Sequence, residues 1–226
     1  MAHVLDNPVW NALTGRQKDI SLGTGLARRY LSDISTWATV ADDSPEALDE
    51  LAFLVPPGGT VILARAEGRP FASTGRLIAT PFVGLQMIAD KVTAPEPSDE
   101  VIDLTDADGP EMLELATVTK PGPFIARTHV MGDFIGIRKN GRLVAMAGER
   151  FKLDGFAEVS VVCTHPDWRG RGYASLLSRV AAARIKARGE TAFLHAFITN
   201  GAAIRLYEQL GFVARTRMDG AVYRRA

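Results

Sequence analysis

Between Glu158 and Gly211 the chain concentrates the residues with the most chemical capacity, and the densest run is Pro166-Asp167-Trp168-Arg169-Gly170-Arg171-Gly172-Tyr173-Ala174-Ser175. It separates a Val-rich stretch, Glu158 to Thr164, that reads as a strand from a stretch, Tyr173 to Arg188, that reads as a helix. Glycines in a strand-to-helix turn let successive backbone N–H groups converge on an anion, and the helix N-terminus adds partial positive charge. Arg169 and Arg171 supply whole counter-charges. Such a turn suits a pyrophosphate, although a tight structural connection would use the same glycines. Rival phosphate motifs fit less well. No G-x-x-x-x-G-K-[ST] loop stands here, and a dinucleotide fingerprint needs Gly or Ala at Ser175 after a parallel βαβ unit.

The elements that must position this turn follow from periodicity. Tyr173, Leu177, Ala181 and Ile185 lie four apart along the helix, and Gly189 ends it. Asn140-Gly141 between Phe134–Arg138 and Arg142–Ala147 predicts a hairpin, because both turn residues tolerate positive φ. Val101 to Leu104 and Ala192 to Ile198 read as strands, and Ala202 to Leu210 as a helix stopped by Gly211. A helix starts near Pro110, capped by Asp106 or Asp108. Phe212–Arg215 and Ala221–Tyr223 are expected to close the chain as an antiparallel pair. The fold class is α+β, a mixed sheet with helices. Earlier in the chain, Ala47 to Leu54 reads as a helix, and Val61–Ala64 and Phe82–Ile88 as strands.

Composition sets outer bounds. The 226 residues are 46% hydrophobic and 23% charged, as in an ordinary globular protein, and the lone Cys163 allows no internal disulfide. No apolar run nears the roughly 18 residues of a membrane span, and Met1-Ala2-His3-Val4-Leu5-Asp6 is not a secretory leader, so the chain reads as cytoplasmic. The zero net charge divides into −5 for residues 1–100 and +5 for residues 101–226, so the later half favours an anionic ligand. No basic run interleaved with aromatics points to nucleic acid. The acidic, Pro-containing segment Ala94 to Glu100 reads as a connector, giving residues 1–95 as an N-terminal α/β subdomain and 96–226 as the unit that carries the turn.

Arg169-Gly170-Arg171-Gly172-Tyr173-Ala174 resembles the [Q/R]-x-x-G-x-[G/A] motif of the GNAT N-acetyltransferase superfamily. Asn200, Ala203, Tyr207, Gly211 and Phe212 are similar to that family's N-x-x-A-x-x-x-Y-x-x-x-G-F ending. The resemblance covers about residues 100–226 and is strongest over 156–213. It implies the GNAT acyl-CoA N-acyltransferase fold and direct attack of a primary amine on the thioester of acetyl-CoA, a co-substrate; separately, no Cys/His/Asp cluster has metal spacing, so no metal is expected. It also implies that backbone amides from Arg169 through Gly170, Arg171, Gly172, Tyr173 and Ala174 to Ser175 hold the pyrophosphate. The pantetheine arm would lie along Val162, Cys163 and Thr164, with the Val162 N–H toward the acetyl oxygen. Glu158, eleven residues before Arg169, matches the general base of histone-type members; an exposed strand-end glutamate is the alternative. Tyr207 matches the acid that protonates the departing thiolate, or else is a core aromatic. Asn200 matches a cofactor contact and also suits a helix N-cap.

Other side chains carry weaker expectations. His195 serves either as base or as a satisfied core histidine, His165 faces solvent, and His129 follows a loop that could reach the acceptor. Cys163 reads as a small buried hydrophobe, since direct transfer needs no acyl-enzyme. The acceptor is a small-molecule or peptide amine, and a homo-oligomer stays open. A longer acyl group, an amino-acid acceptor, or a non-catalytic CoA-binding module are the alternatives. Residues 1–95 match no motif and read as a degenerate second lobe, a cap on the acceptor pocket or an interaction surface. The acids Asp42, Asp43, Glu46, Asp49 and Glu50 raise the expectation of attraction for a cationic amine.

Overall fold

Hydrophobic periodicity, turn glycines and caps translate into sixteen principal elements in a computed structural model that describes residues 3–68 and 71–226. The first half supplies α1 (Pro8–Thr14), β1 (Ser21–Leu22), β2 (Ala27–Tyr30), β3 (Ala38–Val40), α2 (Pro45–Leu54), β4 (Thr60–Ala66) and β5 (Leu77–Ala89). After the connector come β6 (Val101–Leu104), α3 (Gly109–Thr119), β7 (Phe134–Lys139), β8 (Arg142–Leu153) and β9 (Phe156–Thr164). Then follow α4 (Tyr173–Ala187), β10 (Thr191–Phe197), α5 (Gly201–Gln209) and β11 (Phe212–Arg225). Asn140 and Gly141 both take positive φ, 51° and 76°, as the hairpin between β7 and β8 requires.

Among the described residues, eight strands form one sheet in the order β4-β11-β5-β10-β9-β8-β7-β6, and β1-β2-β3 form a small second one. Within the large sheet every pairing is antiparallel except β9 with β10, which α4 connects as a crossover. The large sheet runs across the boundary expected near residue 95, since β5 lies between β10 and β11. Trp37, one residue before β3, bridges to Ile62 of β4 and ties the small sheet to the large one.

One expectation is corrected. The end of the chain is a single strand of 14 residues, not a hairpin of two short ones. A hairpin at Met218-Asp219-Gly220 would need a reversing turn, yet Gly220 keeps an extended register with Phe82 of β5. Pairing on both sides, with β4 and β5, accounts for the preference. The one irregularity is a bulge at Arg215, between Ala214 and Thr216.

The core sits on both faces of the sheet. On one face α4 buries Tyr173, Leu177, Ala181 and Ile185, the four residues its spacing singled out. Each large apolar side chain so buried contributes about 1.5–3 kcal/mol before the entropy cost of ordering it. On the other face Leu5, Val9 and Leu13 pack with Tyr30, Trp37 and Phe151, so α1 and the small sheet cover β8 and β4. No helix among the described residues is long and apolar enough to cross a membrane.

Candidate active site

A break in the sheet opens the site. β9 and β10 pair only over Phe156–Glu158 and Thr191–Phe193. Beyond that, β10 stays with β5 through Phe197, while β9 leaves it. The departure coincides with a bulge: the β8–β9 ladder jumps from Gly148↔Ser160 to Met146↔Cys163, and Val161 takes φ +56°. Left-handed backbone at a β-branched residue is costly and persists only where its surroundings hold it. The resulting cleft has a volume of about 780 Å³.

Residues 159–164 and the turn 168–175 line the cleft on its β9 side, and Asn200 and Tyr207 line it from α5. Gly170 and Gly172 take φ of 75° and 80°, which turns the chain tightly into α4 with Gly172 at its N-cap. The first turn of α4 holds no acid, so the positive end of its dipole is not neutralised by its own side chains. Arg169 and Arg171 are exposed, and Arg171 lies over the Trp168 ring at 4.8 Å. Two left-handed glycines, an uncompensated helix terminus and two exposed cations form a surface suited to a polyphosphate.

Beneath the cleft lies a buried polar chain. Arg150 donates from Nε and Nη2 to Glu158 Oε2 and Oε1 at 2.8 and 2.6 Å. Trp37 and Phe151 hold the same guanidinium, with ring centroids 4.9 and 4.6 Å away. Glu158 also meets His195 Nδ1 at 2.7 Å. Burial alone would push the Glu158 carboxyl up, but Arg150 and His195 outweigh it and bring its pKa down to about 2. On the far side of His195, Gln86 Oε1 accepts from Arg215 Nη1 at 2.8 Å. That bond turns the Gln86 amide nitrogen toward both the Leu5 carbonyl and His195 Nε2, each at 3.0 Å. Nε2 of His195 therefore accepts, and its Nδ1–H points at Glu158.

The other candidates take distinct places. Tyr207 is half-buried, and burial followed by the negative charge of Glu158 raises its phenol to about 12. Its hydroxyl meets no hydrogen-bond partner among the described residues. Asn200 Oδ1 accepts from the Ala203 N–H at 3.2 Å, so it caps α5 while lining the cleft. Cys163 is buried, which pushes its thiol to about 11 and leaves it a poor nucleophile. His165 accepts from the Asp167 N–H and caps the short turn after β9. His129 lines a separate pocket beside Asp106 and Arg184, away from the cleft.

Comparison with known proteins agrees with this geometry. A crystal structure from Novosphingobium aromaticivorans DSM 12444, assigned to the GNAT family of acetyltransferases, superimposes with TM-score 0.93 and 39% identity over 100% of both chains. The chain belongs to the GNAT family. A GCN5-related N-acetyltransferase from Kribbella flavida shares the fold at TM-score 0.66 and 17% identity, covering 98% of this chain and 96% of that one. A GNAT-family acetyltransferase from Colwellia psychrerythraea does so at 0.55 and 13%, covering 100% and 97%. The model of the FR47-like protein family matches residues 134–219. A search of curated proteins finds no match. A GNAT fold implies an acyl-CoA co-substrate, and the full-length overlap brings the N-terminal half into that fold.

In this GNAT chain, all the residues expected to hold cofactor line one cleft, whereas Glu158 is fully buried and lies under the lining. The acids Asp42, Asp43, Glu46, Asp49 and Glu50, in and just before α2, do not line it either. Glu50 accepts from the Leu26 and Ala27 amides, Asp43 pairs with Arg65 and Asp42 caps Ser44, so these three have structural work. Sequence reasoning missed Trp37, Gln86 and Arg150. Only Arg150 carried a signal, since it faces Glu158 across the hairpin between β8 and β9.

Proposed function

We propose that this GNAT protein transfers an acetyl group from acetyl-CoA to a primary amine by direct attack. The observation that carries the reading is the continuity of the opened β9 edge with the Gly170–Gly172 turn and the α4 terminus in one cleft. The diphosphate would rest on the amides of residues 169–175, with Asn200 beside it. The pantetheine arm would run along Val162, Cys163 and Thr164. The interrupted ladder at Val161–Val162 supports the Val162 N–H as the donor to the carbonyl oxygen that gains charge.

In the proposed chemistry the amine nitrogen attacks the thioester carbon, the N–C bond forms and the C–S bond breaks. The Tyr207 phenol gives its proton to the leaving sulfur and recovers one from the nitrogen through solvent, so the products are an N-acetyl amide and CoA thiol. A phenol raised to about 12 stays protonated at neutral pH, as a proton donor must. With a pKa near 2 and three hydrogen bonds, Glu158 accepts protons poorly at neutral pH. Its place in the reading is to fix His195 and Arg150 under the reacting groups. The cleft lining includes Arg150, Arg169, Arg171 and Lys120 and no acid among the described residues. Such a lining disfavours an ammonium and admits the neutral amine.

Thermal unfolding with acetyl-CoA tests the reading, with NADH and ATP as controls. Near a hundredfold excess over Kd, a specific ligand adds about 2.7 kcal/mol. For a chain of this size that raises Tm by about 5–10 °C. A rise with acetyl-CoA alone is the expected outcome; equal shifts with the controls, or none, defeat it.

A further inference from the structure

On the far side of β10 the cleft has a different character. Trp37, Ile62, Phe82, Phe197, Met218 and Val222 line it there. Phe197 is 56% exposed although it sits in a strand of the main sheet. Phe82 meets it edge to face, with centroids 5.4 Å apart. The seat of Phe82 is built: it lies opposite Gly220, where a Cβ would fall 2.2 Å from the ring. Any other residue at that position would lift Phe82 off β11. Two rings thus stand open to the cleft, with the Trp37 indole beneath them on Arg150.

The charges point the same way. Among the described residues that line the cleft there is no Asp or Glu, and Glu158 beneath it is held by Arg150 and His195. A polycationic acceptor would find no counter-charge. Arg150 uses Nε and Nη2 on Glu158, whereas its Nη1 has no acceptor among the described residues, so the floor can receive an anion but not a second cation.

We infer that the acceptor is an arylethylamine, a primary amine on a short arm from an aromatic ring. The ring packs on Phe82, Phe197 and Trp37 while the nitrogen reaches toward the acetyl group; this rests on the acetyl-CoA reading above. A free aralkylamine and the α-amine of an aromatic amino acid share this chemistry. They differ in a carboxylate that Arg150 Nη1 could receive.

The test measures CoA thiol release by the full-length chain with phenethylamine, L-phenylalanine and spermidine, beside acetyl-CoA binding measured separately. The expected result is kcat/KM for the better aromatic amine at least about tenfold above spermidine, the discrimination an apolar pocket can supply. L-phenylalanine ahead of phenethylamine assigns the carboxylate-bearing source, and the reverse order assigns the plain amine. The exposed position of Phe197 makes Phe197→Ala a variant that keeps the fold. It should raise KM for the aromatic amine about fivefold, within the range of a trimmed apolar contact, with KM for acetyl-CoA unchanged. Phe82→Leu, which keeps apolar bulk, should act in the same direction. Acetyl-CoA binding with spermidine turned over best, with no aromatic amine turned over, or with KM untouched by both variants overturns the inference alone. Absence of acetyl-CoA binding and of all turnover overturns the inference together with the reading beneath it.

Discussion

On the β9 side of the cleft, what the protein offers a ligand is main chain: a bulged strand, two left-handed glycines and the amides that open α4. Beyond β10 it offers side chains, the Phe82–Phe197 pair and the Trp37–Arg150 stack, with Gln86, His195 and Glu158 linked behind them. Backbone recognition asks only for a local conformation and tolerates most side chains outside the glycines. Side-chain recognition asks for particular residues and for a scaffold that brings distant ones together. The first wall can stay constant across a family while the second changes with the acceptor.

Substitutions on the two walls should therefore fail differently. The largest effect is expected for Arg150→Ala, which leaves Glu158 buried without its bidentate partner. Denaturant unfolding should show a loss of about 3–5 kcal/mol, and a loss under 1 kcal/mol would mean that the polar chain does not hold this wall. Tyr207→Phe stands next: about a hundredfold fall in kcat with acetyl-CoA affinity retained, measured by steady-state kinetics beside equilibrium binding. On the β9 side, Gly172→Ala meets no atom within 4 Å, so its cost is conformational only. Left-handed backbone costs a non-glycine residue about 1–2 kcal/mol. Titration should show acetyl-CoA affinity reduced with the acceptor KM unmoved; a shift in both would mean that the walls are not independent.

The remaining effect is one of pH. The folded-state pKa of Glu158, about 2, lies below its ordinary 4.5, so its contribution to stability is full above 4.5 and is lost as pH falls through the folded value. Glu158→Gln should lower Tm at pH 7 and flatten the decline of Tm between pH 5 and pH 2.5. An unchanged slope would mean that the carboxylate is not held as its partners indicate.

This contrast also explains what could be read from the chain unaided. The turn at residues 169–175, the α4 face of Tyr173, Leu177, Ala181 and Ile185, and the Asn140-Gly141 hairpin are contiguous or periodic, and local rules reach them. Trp37 and Gln86 join the site only because Trp37 bridges to Ile62 and Gln86 lies opposite His195 across β5 and β10. No spacing along the chain announces such pairings. The hairpin expected at the end of the chain failed for the same reason. Met218-Asp219-Gly220 looks like a turn locally, but two neighbouring strands hold it extended.

The single long strand β11 has a consequence for how the protein is made. β4 and β5 leave the ribosome with the first ninety residues, yet the partner that joins them, and β10, which closes the other edge of β5, come only with the last few dozen. Loop closure over so long a separation is slow, and unpaired edges invite association while they wait. Synthesis thus leaves the wall beyond β10 to be zipped up only once β11 is made, by the same strand that seats Phe82. A nascent chain arrested before Phe212 should therefore expose β4 and β5 to protease, while the same chain released to Arg225 should protect them.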